Sequence, residues 1–99
     1  TRDFTFVKDV TRALQMAMKS DYHGIVNVGT GKAYTFSQAV EILNACLGMD
    51  VKPQYVPNPI KNYVLHTLSD TARSEKVLGF KARYRLEDGV KELIKYYAK

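Results

Sequence analysis

Thr35-Phe36-Ser37-Gln38 constrains the folding of this chain more tightly than any other stretch. A threonine three residues ahead of a glutamine has the spacing of a capping box. In that arrangement each side chain satisfies a backbone N–H that the first helical turn leaves unpaired. Phe36, Ala39, Val40, Leu43 and Leu47 follow at three- and four-residue steps, and Gly48 suits the left-handed position just past a helix end. Start, apolar face and stop are all specified, so a helix ending at Gly48 is predicted.

The same logic organises the rest of the chain. Val10, Ala13, Leu14, Ala17 and Met18 predict an amphipathic helix over about residues 8–20 with this stripe turned inward. Asp9 lies near its start, where a carboxylate is expected to accept orphan backbone N–H groups. Asp21-Tyr22-His23-Gly24 ends that helix, and Ile25-Val26-Asn27-Val28 reads as a short, largely buried strand closed by a Gly29-Thr30-Gly31 turn. Lys52 to Pro57 is extended, and Pro57-Asn58-Pro59 is a loop, because proline lacks an N–H and biases its predecessor away from helix. Asp70 is predicted to cap a short helix running through Leu78 and stopping at Gly79. A last helix begins at Leu86 or Glu87 and carries Val90, Leu93, Ile94 and Tyr97 inward. The prediction is one compact α/β domain over residues 1–99, with three or four helices, short strands and no internal repeat.

Composition narrows the function. A 99-residue chain with 45% hydrophobic residues supports one modest core. No apolar run approaches the ~18 residues of a membrane span, so no membrane partner is expected. The single Cys46 excludes an internal disulfide, fits a reducing, cytoplasmic setting and reads as a buried, inert thiol. The net charge is +5, and nine of the 15 basic groups fall within residues 61–99, against five acids. A basic surface attracts phosphates of any kind. Here Glu87 is spaced with Lys91, and Asp88 with Glu92 and Lys95, in the pattern of a solvated helix face. No RNA-binding aromatic signature, zinc finger or recognition helix accompanies the charge, so nucleic acid is disfavoured as a partner.

Familiar catalytic patterns do not fit. Gly24 and Gly29 have the four-residue gap of a phosphate-binding loop, but Thr30 stands where the lysine belongs. No GxxGxxG dinucleotide turn occurs, and no Tyr is followed four residues later by Lys. His23 and His66 are too far apart, with only Cys46 between them, to suggest a metal site. The expected catalytic, cofactor-binding and metal sets are therefore empty. What remains suits a phosphate group. Arg2 offers five donors in a planar fork and stays charged. Lys61 and Tyr63 follow the rigid Pro-Asn-Pro loop, and Tyr63 joins a packing ring to a hydroxyl. On residue chemistry alone, a solvated Arg2 and a half-buried Tyr63 stay open as alternatives.

Arg2-Asp3-Phe4, then Val7-Lys8-Asp9-Val10, then Val26-Asn27-Val28-Gly29-Thr30-Gly31 resemble the start of the C-terminal, sugar-nucleotide-binding half of the extended short-chain dehydrogenase/reductase family. Pro59-Ile60-Lys61-Asn62-Tyr63, Thr67-Leu68-Ser69-Asp70 and Leu78-Gly79-Phe80 are most similar to its ADP-glyceromanno-heptose 6-epimerase branch. The resemblance implies the C-terminal substrate-binding part of a Rossmann-type, NAD(P)-dependent nucleotide-sugar epimerase. Its N-terminal domain would carry the NAD or NADP and lie upstream of Thr1. It also implies a nucleoside-diphosphate sugar as ligand, Arg2 on its diphosphate, Tyr63 and Lys61 as further contacts, a homo-oligomer when intact, and no activity in this part alone. UDP-glucose 4-epimerase, dehydratase and reductase are the alternatives within the family. A free-standing basic module binding RNA or an acidic partner, or a purely structural domain, are the alternatives outside it. Separated from a nucleotide-binding domain, such a unit is expected to expose apolar surface beyond the usual patch of about 300–600 Å².

Overall fold

The computed structural model describes residues 1–97 and contains four helices: α1 (Val7–Met18), α2 (Phe36–Leu47), α3 (Ala72–Leu78) and α4 (Leu86–Tyr97). α2 packs against α4, and α1 against α3. The capping box at Thr35 and Gln38 is complete, and Gly48 closes α2 in the left-handed region at φ 65°. Beyond it, the Asn44 side chain donates to the Val51 carbonyl and accepts from its N–H, which sets the direction of the departing chain. α3 ends the same way: Gly79 is left-handed, and the Phe80 N–H reaches back to the Ser74 carbonyl. Its N-cap is Thr71, not Asp70. The Asp70 carboxylate accepts instead from the Ala72 N–H at 3.1 Å, bracing the turn before the helix.

Several expectations change once tertiary contacts are visible. Asp9 does not serve its own helix. Its fully buried carboxylate accepts from the backbone N–H groups of Arg83 and Tyr84, each at 3.0 Å, and pairs with Arg12 at 3.3 Å. Of the α1 stripe, Ala13 is buried, whereas Leu14 is 62% and Met18 85% exposed. Together with Val7 and Val10 they form an apolar face turned to solvent. On α4, Val90 is buried, Leu93 is half exposed and Tyr97 is largely exposed. Cys46 is half-buried rather than buried.

Regular strands do not form among the described residues. The extended segments meet in a single bridge between Arg2 and Tyr34. The Asp3 carboxylate takes up the N–H groups of Thr30, Gly31 and Ser69. Ile25 to Val28 runs along the surface, with Ile25 82% exposed and its carbonyl held by Arg73. The molecule is flattened, at 47 × 38 × 17 Å, with a Cα radius of gyration of 16.0 Å against about 13 Å for a compact chain of this length. Its accessible surface is 7823 Å². A folded monomer of this mass exposes about 5,700 Å².

The buried core is correspondingly small: Ala13, Tyr34, Phe80 and Val90, with Asp9 and Ser74. Phe6 packs its ring 4.7 Å from Tyr84, and Gly89 lets α4 approach it, since a Cβ there would lie 3.2 Å from Phe6.

Candidate functional site

The first three residues enter as an extended segment held on both edges. Arg2 and Tyr34 exchange N–H···O bonds of 2.9 Å, and across the other edge the Thr67 N–H donates to the Thr1 carbonyl at 3.0 Å. Successive side chains of extended backbone leave on opposite faces, so Arg2 and Asp3 serve different surfaces.

On one face the Arg2 guanidinium is anchored at both terminal nitrogens. Nη1 donates to the Thr1 carbonyl at 2.8 Å and Nη2 to the Val64 carbonyl at 2.7 Å. Its central carbon lies 5.0 Å from the centre of the Tyr63 ring and 5.8 Å from that of Phe36. A weakly hydrated planar cation is attracted to aromatic ring faces within about 6 Å. With two of five N–H donors engaged, three remain for an anion. Phe36 is itself braced by Phe4, edge to face, with centroids 6.1 Å apart.

On the other face Asp3 works as a latch. Its carboxylate accepts from Thr30 N–H at 3.1 Å, Thr30 Oγ1–H at 2.5 Å, Gly31 N–H at 2.9 Å and Ser69 N–H at 3.3 Å. Consecutive N–H groups of a glycine turn make an anion-binding concavity. Here the concavity is already filled by the chain's own carboxylate. Gly29 permits this closeness: an added Cβ would lie 2.4 Å from the Ser69 Cβ and 2.8 Å from Asp3 Oδ2. Gly29→Ala is therefore expected to destabilise by about 1–3 kcal/mol through overpacking, read as a lower urea midpoint. An unchanged midpoint would mean that the latch tolerates displacement.

Two of the three sequence-predicted site residues thus come together, Arg2 and Tyr63. Lys61 does not join them. It is exposed on a turn whose second residue, Asn62, is left-handed at φ 58°, and it makes no hydrogen bond or ion pair among the described residues. Phe36 was not foreseen at the site, because its spacing reads as one more apolar position of α2. A groove of about 540 Å³ lined by Cys46, Arg83, Tyr84, Asp88 and Lys91 shares no residue with the Arg2 cluster. Its charges are of mixed sign, and α4 pairs Lys95 with Glu92. The Arg2 face therefore carries the more specific chemistry.

The model of the family described as GDP-mannose 4,6 dehydratase matches residues 1–93. The UDP-glucose 4-epimerase of Thermotoga maritima, solved with UDP-glucose, is 33% identical with a TM-score of 0.90, over 98% of this chain and 31% of that one. The ADP-L-glycero-D-manno-heptose-6-epimerase of Helicobacter pylori is also 33% identical, with a TM-score of 0.86 over 96% of this chain and 29% of that one. MoeE5, solved with UDP-glucuronic acid and NAD, is 32% identical with a TM-score of 0.89, over 98% of this chain and 33% of that one. The chain spans 29% of the length of curated relatives that it matches. Sequence and fold agree along almost the whole chain, so it belongs to the GDP-mannose 4,6-dehydratase family, among the NAD-dependent short-chain dehydrogenases/reductases that include the nucleotide-sugar epimerases.

Proposed function

We propose that this chain is the C-terminal substrate-binding part of an NAD(P)-dependent nucleotide-sugar epimerase, in which Arg2 neutralises the diphosphate of a nucleoside-diphosphate sugar. The observation that carries this reading is the anchored guanidinium: two of its donors are spent on backbone carbonyls, Tyr63 lies against it, and three donors remain. Fixing a cation in place before the ligand arrives lowers the ordering cost of binding and holds the sugar in one orientation. Tyr63 contacts the phosphate or ribose beside Arg2, and Lys61 adds positive charge from its exposed turn.

The cofactor does not fit this part of the protein. Among the described residues, the Gly29-Thr30-Gly31 turn could cradle a phosphate, but its N–H groups are taken by Asp3. NAD(P), which supplies the hydride acceptor and donor when bound, belongs on this reading to a Rossmann domain elsewhere in the whole protein. The accessible surface supports such a partner domain. It exceeds that of a folded monomer by roughly 2,000 Å², and the apolar face of α1 contributes to the excess. Intra-chain domain interfaces bury about 600–1,500 Å². Within the family, Pro59 to Tyr63 favours the heptose 6-epimerase branch, with UDP-glucose 4-epimerase, dehydratase and reductase as the alternatives. A cytoplasmic homo-oligomer completes the reading.

The test is kinetic and uses the full-length protein. Arg2→Ala is expected to raise KM for the sugar nucleotide about 10- to 150-fold, the equivalent of about 1.5–3 kcal/mol for a charge-assisted contact. Tyr63→Phe removes one neutral hydrogen bond, about 0.5–1.5 kcal/mol, and keeps the ring. Equal KM in wild type and Arg2→Ala would end the diphosphate assignment. RNA binding with a steep salt slope would favour a basic interaction module instead.

A further inference from the structure

We infer that Phe36 is a positioning residue for the diphosphate site, acting through Arg2. This rests on the assignment of Arg2 to the diphosphate and adds a residue to it. The α2 capping box places Phe36 at the first position of the helix, directly after the Thr35 cap. Tyr34, two residues earlier, is bonded backbone to backbone with Arg2. Four residues of one segment therefore do two jobs: Tyr34 fixes the Arg2 backbone, while Thr35 and Gln38 fix the helix start that carries the Phe36 ring to the Arg2 side chain.

Phe36 is 53% exposed, like Leu43 at 41% and Leu47 at 47% on the same helix. What sets Phe36 apart from them is that its ring faces the guanidinium carbon of Arg2 at 5.8 Å. Phe4 meets it edge to face from the same extended segment as Arg2. The Tyr63 ring lies 5.0 Å from the same carbon, so the cation is in contact with two rings while Thr1 and Val64 hold its nitrogens. Leucine at position 36 would keep the apolar bulk but lose the negative ring face. The aromatic identity is therefore what matters, and it matters only to ligands that use Arg2.

The experiment measures binding of UDP and ADP beside uridine and adenosine in the full-length protein. Phe36→Ala and Phe36→Leu are each expected to weaken diphosphate binding about two- to fivefold, the worth of an exposed cation–π contact. Nucleoside binding should stay unchanged, and Phe36→Tyr should restore the wild-type value. In an Arg2→Ala background Phe36→Leu should have no further effect, because the group it positions is gone. If Arg2→Ala weakens diphosphate binding while Phe36→Leu matches wild type, the positioning role is overturned and the Arg2 assignment stands. If Phe36→Leu weakens nucleosides and diphosphates alike, its role is structural only. If Arg2→Ala leaves diphosphate binding intact, both readings fall together.

Discussion

Asp9→Ala is expected to destabilise the protein by about 3 kcal/mol or more, the low end of the loss when one partner of a buried pair is removed. The carboxylate is fully buried and accepts from Arg83 N–H, Tyr84 N–H and Arg12. Alanine leaves two backbone donors and a guanidinium without that acceptor. The Arg12 side chain keeps 20% exposure, so water recovers part of the loss. Asp9→Asn should lose less, since the amide oxygen still serves one N–H. Urea unfolding of the full-length protein measures both, and a midpoint shift equal to that of an exposed substitution would show that Asp9 is not the tie between α1 and residues 83–84.

Phe80→Ala should cost about 3–5 kcal/mol, the usual range for truncating a buried phenylalanine. Phe80 is 1% exposed and follows the left-handed Gly79 directly, so the helix stop aims its ring into the core. Arg12 lies over that ring at 4.7 Å and also donates to the Lys81 carbonyl. The Asp9 and Phe80 substitutions share Arg12, so the double variant should lose less than the two single losses combined. Strict additivity in the unfolding midpoints would mean that the cluster does not act as a unit.

The helices were legible because their determinants are local. Thr35, Gln38 and Gly48 lie within fourteen residues and need no distant partner to act. The Arg2–Tyr63 meeting was legible only through resemblance, since nothing in local spacing brings residues so far apart together. Asp9 and Asp3 were misread or passed over for one reason: their partners lie up to 75 residues away in sequence. Ile25 to Val28 has the composition of a buried strand, but burial depends on what lies beside a segment, which its own residues do not encode. Phe36 was masked by its own periodicity, for a residue can satisfy a helical stripe and still face a cation.

The opening nine residues take about half of their tertiary hydrogen bonds from more than 60 residues along the chain. Thr1 pairs with Leu65, Asp3 with Ser69, and Asp9 with Arg83 and Tyr84, across separations of 64 to 75 residues. Loop closure over such spans precedes any reward in contacts, which slows folding relative to a helical chain with local contacts. α2 carries both of its caps and can form early. The Arg2 cluster needs residues 63–67 beside the opening segment, so this site is the part of the fold that local contacts alone do not assemble.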